Sequence, residues 1–160
     1  MEPKTAAAQL IYRYCRALDR LDLALLGDVF WPDAEIALGE LFHGSPTAFA
    51  ELVQAFMGSM AATRHAVTNV LVTGTGERRG VESYVDAWHR LEPPGGTRVL
   101  TVAARYLSEA TCRDGVWRLQ RHAEVMDWAE ERAADPAWFE NNRELPKGRR
   151  DRDDPSYAFL

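Results

Sequence analysis

Residues 98–128 read RVLTVAARYLSEATCRDGVWRLQRHAEVMDW, with two long runs of strand-forming residues on either side of Asp114-Gly115. An aspartate-glycine pair between two such runs is a strong signal for a tight hairpin turn. The stretch therefore predicts two antiparallel strands, one over residues 98–111 and one over residues 116–128.

Two more strands are predicted upstream of this hairpin. Residues 65–73 (HAVTNVLVT) are rich in β-branched residues and end in a Gly-Thr-Gly turn. Residues 80–91 alternate apolar and polar side chains, and the loop PPGG follows them at residues 93–96. The later part of the domain is therefore expected to form a sheet of long antiparallel strands.

The beginning of the chain has a helical pattern instead. Ile11, Cys15 and Leu18 are spaced by four and then three residues, which is the spacing of the buried face of a helix. This spacing predicts a first helix over residues 5–20.

Two further helices are predicted from their starting signals. Asp22 is a suitable cap for a short helix over residues 23–30. Ser45-Pro46 combines a capping residue with proline at the first helical position, which predicts a third helix over residues 46–62. Residues 34–42 between these helices are interpreted as a short hairpin or a curled strand.

Helices that precede long antiparallel strands are typical of the α+β class. A curved sheet around a helical pair leaves a concave interior, and such interiors are common ligand sites. We expect one domain over residues 1–128. A polar extension over residues 129–160 should be partly mobile, with docking possible through Tyr157, Phe159 and Leu160.

The composition argues against several classes of protein. The chain has 160 residues, 46% of them hydrophobic, and a net charge of -5, so it lacks the basic surface that nucleic acids and anionic membranes bind. No window approaches the roughly 18 apolar residues of a membrane span, and the N-terminus lacks the apolar core of a signal peptide. We therefore expect a cytoplasmic protein that contacts neither nucleic acid nor membrane.

The order of these elements and five short motifs resemble the SnoaL-like family of the nuclear transport factor two-like superfamily. Members fold as a cone of about three helices packed on a curved, mostly antiparallel sheet, so the resemblance implies a cone-shaped α+β barrel. The resemblance covers residues 5–128 and rests on YCRALDRLD (14–22), WPDA (31–34), TRHAVTN (63–69), RDGVWR (113–118) and DW (127–128).

The superfamily contains dehydratases, a dehydrochlorinase, isomerases, polyketide cyclases, oxygenase small subunits and binding domains, so fold alone does not give function. In the dehydratases and the dehydrochlorinase, an aspartate of the first helix and a histidine opening the strand after the third helix form an acid-base dyad. The matching positions here are Asp19 and His65. Tyr14 matches a tyrosine that one dehydratase carries five residues before its aspartate. Met126 departs from that enzyme, which has an arginine there, so no known substrate is implied.

A dyad of this kind suits elimination chemistry, in which a base removes a proton from a carbon beside an activating group. Imidazole ionises near neutral pH, and a carboxylate bonded to its other nitrogen fixes the tautomer and stabilises the imidazolium. Asp19 would then orient the ring and His65 would abstract the proton. In the alternative interpretation, Asp19 is an exposed helix end and His65 only begins a strand.

Tyr14 and Asn69 are candidates for further contacts with the substrate. Tyr14 would donate a hydrogen bond to a substrate oxygen, or else serve as a core residue. Asn69 is four residues beyond His65, so on a regular strand both side chains point to the same face.

The remaining expected substrate contacts are Arg105, Phe56 and Trp31. Arg105 would line the cone or, alternatively, reach solvent or an acidic partner such as Glu124. Phe56 and Trp31 would supply apolar contacts.

The other histidines give weaker indications. His122 and Glu124 alternate on one face of the last strand, which is either the cone lining or an exposed face. His43 and His89 are expected on the surface. The histidines have no metal-ligand spacing, the two cysteines are too few for a four-ligand metal site, and no phosphate loop is present, so no metal or cofactor is expected.

The sequence and its resemblance together predict a cofactor-independent lyase of the dehydratase type, acting on a small apolar cyclic or polyketide-like substrate. The alternatives are an isomerase or polyketide cyclase in the same pocket, and a non-catalytic binding or assembly domain such as an oxygenase small subunit. We also expect self-association into a trimer or dimer, for which the aromatic residues Tyr84, Trp88, Trp117 and Trp128 are candidates.

Overall fold

A computed structural model describes residues 2–159 and places three helices on one face of a six-stranded sheet. None of the helices within these residues is long and apolar enough to cross a membrane. This arrangement confirms the α+β class. The helices are α1 (Pro3–Arg20), α2 (Leu23–Val29), α3 (Pro46–Met57) and α4 (Ala137–Asn141), and the strands are β1 (Phe30–Leu38), β2 (Phe42–Gly44), β3 (Ala62–Thr73), β4 (Arg78–Leu91), β5 (Arg98–Arg113) and β6 (Val116–Ala133).

The sheet is mixed and has the strand order β2-β1-β6-β5-β4-β3. Strand β1 pairs in parallel with β6, and the other neighbours are antiparallel. The expected cone-shaped arrangement of helices on a curved, mostly antiparallel sheet is confirmed. Within the described residues the sheet does not close into a barrel, because β2 and β3 are its two edges and do not pair with each other. The sheet is therefore open and curved, and the helices pack on its inner face.

The hairpin predicted at Asp114-Gly115 is confirmed. Arg113 pairs with Val116, and both turn residues have positive φ values, 50° at Asp114 and 79° at Gly115, as a type I′ turn requires. Strand β6 continues five residues beyond its predicted end at Trp128, to Ala133, because it stays paired with β5 along that length.

Helix α3 is shorter than predicted, since it ends at Met57 and not at residue 62. Gly58 follows it, and a Cβ added there would lie 2.2 Å from the carbonyl oxygen of Gln54. A side chain at this position would therefore push the helix end apart. The early helix end lets β3 begin at Ala62, three residues before the predicted start at His65.

The core lies between the first three helices and the inner face of the sheet. Tyr14 and Phe30 meet edge to face there, with their ring centroids 5.9 Å apart. The largest fully buried apolar side chains are Ile11, Tyr14, Leu26, Val29, Phe30, Ile36 and Leu119.

Arg150, in the extension after β6, binds backbone carbonyl groups at the ends of two helices. Its guanidinium donates hydrogen bonds to the carbonyl oxygens of Leu18 (3.2 Å) and Asp19 (3.4 Å) in α1. It also donates to the carbonyls of Met57 (2.5 Å) and Met60 (2.9 Å), at and just beyond the end of α3. Carbonyls at a helix end lack partners within the helix and favour a positive charge, so Arg150 joins α1 to α3.

Other residues of the extension dock beside Arg150. The Tyr157 hydroxyl donates to the Asp22 carboxylate at 2.8 Å, and Arg152 donates to the same carboxylate at 3.0 Å. Asp22 also caps α2, as predicted, by accepting from the Leu25 amide. Of the residues expected to dock, Tyr157 does so, Phe159 is 85% exposed, and Leu160 lies outside the described residues.

Candidate active site

Asp19 and His65 meet where the end of α1 crosses the start of β3. The His65 Nδ1 and Asp19 Oδ1 atoms are 2.7 Å apart. The Asp19 carboxylate also accepts hydrogen bonds from the His65 amide and the Thr63 hydroxyl, each at 3.0 Å. The carboxylate is therefore held by three donors of β3, and its position relative to the imidazole is fixed.

The hydrogen bond between the two side chains sets the tautomer of His65. A carboxylate accepts, so Nδ1 donates its proton and Nε2 keeps a free lone pair. Nε2 has no hydrogen-bond partner within residues 2–159. The His65 side chain is only 5% exposed, so a base at Nε2 is shielded from bulk water.

An apolar cavity of about 340 Å³ lies between α1, α3 and the inner face of the sheet. His65 lines this cavity and Asp19 does not. Asp19 faces a separate, more open depression behind the imidazole, next to Tyr12 and Arg16. In this placement His65 can contact a molecule bound in the cavity. Asp19 lies on the other side of the imidazole and can hold the orientation of the ring.

Tyr14 and Tyr106 line the same cavity, from α1 and β5 respectively. Their rings are in edge-to-face contact, with centroids 5.4 Å apart. Burial raises the pKa of both phenols well above the usual value, so both hydroxyls stay protonated. Neither hydroxyl is bonded to another group in the part of the chain that the structure describes, so both are available as donors to a ligand.

His89 also lines the cavity, which corrects its expected place on the surface. It lies opposite Thr63 in the β3–β4 pairing, and its ring centroid is 5.6 Å from that of His65. Burial, and then the nearby charge of His65, lower the pKa of His89. The alternation of β4 indicates which residues share its face with His89, but not that this face is buried.

Glu124 of β6 is the one carboxylate among the residues of the cavity lining. It has no hydrogen bond or ion pair with any residue between 2 and 159, and burial raises the pKa of its carboxyl. The sequence pattern left open whether this face of β6 lines the cone, and the structure places Glu124 in the lining.

His122, two residues earlier on β6, belongs to the core below the cavity. Its Nδ1 is 2.8 Å from the Ser108 hydroxyl, and its ring lies 4.6 Å from that of Tyr14. Burial lowers the pKa of His122 to about 3, so this histidine is neutral at physiological pH. It supports Tyr14 from below as a packed, uncharged ring.

Of the expected substrate contacts, Phe56 lines the cavity and Asn69 does not. Phe56 lies at the rim of the cavity and is 57% exposed. Asn69 is exposed and does not line the cavity, because β3 bulges between Thr68 and Leu71 and Asn69 has a φ of 51°. The bulge breaks the alternation that would have placed Asn69 on the face of His65.

Arg105 and Trp31 also lie away from the cavity. Arg105 forms a bidentate ion pair with Asp127 at 3.1–3.3 Å, and not with Glu124. The Trp31 indole donates to the Thr111 carbonyl at 3.3 Å, and its ring lies under the guanidinium of Arg113. Both residues are engaged in structural contacts on other parts of the sheet.

The cavity and its surroundings offer proton-transferring groups and no cluster of metal ligands among the described residues. Within residues 2–159, no three side chains of histidine, cysteine, aspartate or glutamate are grouped as metal ligands would be. The titratable groups in the cavity lining are His65, His89, Glu124, Tyr14 and Tyr106. The chemistry that these groups offer is proton transfer and hydrogen bonding.

Comparison with solved structures finds the same fold in several proteins. A hexachlorocyclohexane dehydrochlorinase (LinA-type3) from Novosphingobium barchaimii has a TM-score of 0.73 at 21% identity, over 82% of this chain and 90% of that chain. Two proteins of Novosphingobium aromaticivorans are also similar. A candidate scytalone dehydratase has a TM-score of 0.70 at 20% identity, over 82% of this chain and 91% of that chain. A candidate aromatic ring hydroxylase has a TM-score of 0.70 at 23% identity, over 83% and 94%.

These identities are low, so the likeness to solved structures establishes the fold alone. A search of curated proteins found none that matches the chain. The sequence itself matches the model of the SnoaL-like domain over residues 1–123, which is most of its length. The match includes both residues of the dyad and the whole of α1, α2, α3, β3 and β4. This chain therefore belongs to the SnoaL-like domain family.

Proposed function

We propose that the protein is a cofactor-independent lyase of the dehydratase type, in which His65 is the base and Asp19 orients it. The observation that carries this proposal is the 2.7 Å contact between Asp19 and Nδ1 of His65, which leaves Nε2 as the free nitrogen of a ring that lines an apolar cavity. The similar folds of a dehydrochlorinase and of a candidate scytalone dehydratase support it by analogy.

In the proposed reaction, Nε2 of His65 takes a proton from the carbon next to a substrate carbonyl. The Asp19 carboxylate stabilises the imidazolium that forms, because the two charges are held in contact. Tyr14 donates a hydrogen bond to the carbonyl oxygen as negative charge develops on it. Loss of a β-substituent in the same step gives a conjugated double bond.

The cavity limits the class of substrate. A volume of about 340 Å³ is at the small end of ligand sites, and its lining is mainly leucine, methionine, phenylalanine and valine. Among residues 2–159, no arginine or lysine contributes to the lining, so a carboxylate or phosphate would lose its hydration without a cationic partner. A small uncharged ring that carries a carbonyl and a β-hydroxyl fits this environment.

The test of this proposal is a screen of small cyclic β-hydroxy ketones, followed by mass spectrometry and by the absorbance of the conjugated enone. We expect at least one of them to lose the mass of one water at a rate proportional to enzyme concentration. If none of a size-graded series loses water above the rate in buffer, the dehydratase proposal is wrong.

Isomerase or cyclase chemistry is the second candidate, and the two phenols favour it. Tyr14 and Tyr106 both offer hydroxyls to the same cavity, and two donors on one enolate oxygen also suit reactions that form an enolate and lose no group. Such a reaction leaves the substrate mass unchanged, so the same mass measurement separates it from dehydration. A binding domain without activity would retain ligands from the screen and change none of them.

We further propose that the protein self-associates through the outer face of its sheet, as a trimer or dimer. Tyr84, Trp88 and Trp128 are 43%, 37% and 53% exposed there, and interfaces are rich in such residues. Sedimentation of the wild-type protein should give the mass of an oligomer, and Trp128→Glu should shift it towards monomer. A wild-type protein that sediments as a monomer at micromolar concentration would contradict this assembly.

A further inference from the structure

Removal of a proton by His65 completes only half of a dehydration. A hydroxide ion is a poor leaving group, so the departing oxygen needs a proton from a second residue. His65 cannot supply it at the same moment, because its Nδ1 proton is directed at Asp19 and its Nε2 is the base.

Glu124 has the position that a second residue would need. It projects from β6, whereas His65 projects from β3, and these strands are separated by β5 and β4 across the curved sheet. Both side chains nevertheless line the same cavity. A molecule bound between α3 and the sheet would therefore contact the two groups from different walls.

Glu124 is also free of the contacts that would explain it as a structural residue. It has no ion pair or hydrogen bond within the described chain, whereas Asp127, three residues later on β6, is paired with Arg105. The titratable groups that share its cavity are Tyr14 of α1, His65 of β3, His89 of β4 and Tyr106 of β5. The part of α3 that lines the cavity contributes apolar side chains only.

We propose that Glu124 is the proton donor to the leaving hydroxyl of the substrate, a role that rests on the proposed dehydratase function. An unpaired carboxyl in an apolar cavity is otherwise a cost to stability, since its charged form loses hydration without compensation. Its placement is explained if the protonated form has a task.

The proton transfers balance in this scheme. The bond between the α-carbon and hydrogen breaks, and its proton passes to Nε2 of His65 while the electron pair forms the carbon-carbon double bond. The bond between the β-carbon and oxygen breaks, and the oxygen takes the proton of the Glu124 carboxyl and leaves as water. Imidazolium and carboxylate remain, and transfer of one proton between them through water restores the starting state.

The electrostatics of the cavity agree with this role. Burial raises the pKa of the Glu124 carboxyl, and the charge of His65 acts in the opposite direction. The carboxyl is therefore protonated at a higher pH than an exposed glutamate, and it becomes easier to ionise as positive charge develops on His65. The two proton transfers of the elimination thus favour each other.

The proposal also narrows the substrate class. A residue that donates a proton accelerates the loss of a hydroxyl or alkoxyl group and contributes little to the loss of a group that leaves as a stable anion. We therefore infer that the natural substrate is an alcohol and not a halide.

The test compares two leaving groups on one ring, a β-hydroxycyclohexanone and its β-acetoxy analogue, with the ring substituents that the screen selects. Glu124→Gln keeps the shape of the side chain and has no acidic proton. We expect it to lower kcat/KM for loss of water about 100-fold and to lower that for loss of acetate less than about fivefold. Glu130→Gln, an exposed residue of the same strand, is the matched control and should lower neither.

Other outcomes of this comparison would contradict the donor role of Glu124. Equal losses for both leaving groups, or no loss for either, would overturn the donor role and leave the His65 base in place. If the wild-type protein eliminates neither group, the proposed function is wrong and the donor role is wrong with it.

A second measurement needs no substrate. The raised pKa of Glu124 in the folded state means that its contribution to stability is complete below the pKa of an unfolded glutamate and is lost as pH rises through the folded value. Glu124→Gln should therefore become more stable relative to wild type between pH 4 and pH 8, as measured by urea unfolding. A constant difference across this range would mean that Glu124 is ionised like an exposed glutamate, which contradicts the proposal.

Discussion

Replacement of His65 with alanine is expected to lower kcat/KM for β-elimination by about 100- to 10,000-fold, because no other group in the cavity can take over its position as base. His89 lies next to it, but the Asp19 carboxylate is bonded to the ring of His65 and not to that of His89. The measurement is the initial rate of enone formation at saturating and limiting substrate.

Asp19→Asn tests the orienting role separately. An asparagine can still occupy the space between Thr63 and His65, but it cannot neutralise an imidazolium, so a loss of about 100-fold or more is expected mainly in kcat. His43→Ala is the matched control, because this histidine is exposed and pairs with Glu35, away from the cavity. If His65→Ala retains more than a tenth of the wild-type rate, the dyad is not the catalytic centre.

Arg150→Ala is expected to give the second large effect, a loss of about 2–3 kcal/mol in the free energy of unfolding. The substitution removes the hydrogen bonds from a charged donor to four backbone carbonyls, two at the end of α1 and two at and just beyond the end of α3. Burial lowers the pKa of Arg150, which is consistent with a guanidinium enclosed between the helix ends. Urea or thermal unfolding measures the effect.

Arg149→Ala provides the comparison for this prediction. Its guanidinium is about half exposed and pairs with Asp151 and Asp153 on the surface, where ion pairs contribute little. We expect it to change stability by less than about 0.5 kcal/mol. Equal stability of the Arg149 and Arg150 variants would show that the docking of the extension does not stabilise the fold.

Local patterns predicted much of the fold. Capping by Asp22 and the turn at Asp114-Gly115 are decided by a few neighbouring residues, so they can be recognised from the sequence. Closure of the sheet, in contrast, depends on whether two distant edge strands meet. Nothing near β2 or β3 in the sequence determines that, so the local patterns predict a curved sheet but not whether its edges meet.

The candidate site could likewise be predicted only in part from the sequence. The contact of Asp19 with His65, residues that lie 46 positions apart, was expected from a resemblance in two motifs. The prediction for Asn69 assumes a regular strand. The strand has a bulge, which shifts every later side chain out of the regular alternation. His89 and Glu124 are polar residues on strands with alternating side chains. Only the packing of α3 against the sheet determines which face of these strands is buried, so the alternation alone could not place the two residues in the cavity.

The match to the SnoaL-like domain ends at residue 123, immediately before Glu124. Strand β6 continues to Ala133 and Arg150 lies in the extension after it, so the matched region stops inside a strand and before the residue that joins α1 to α3. A protein shortened to residue 123 would lose the later part of β6 and the positive charge at two helix ends. The matched region is therefore shorter than the packed structure, and an expressed fragment should run at least to Arg150.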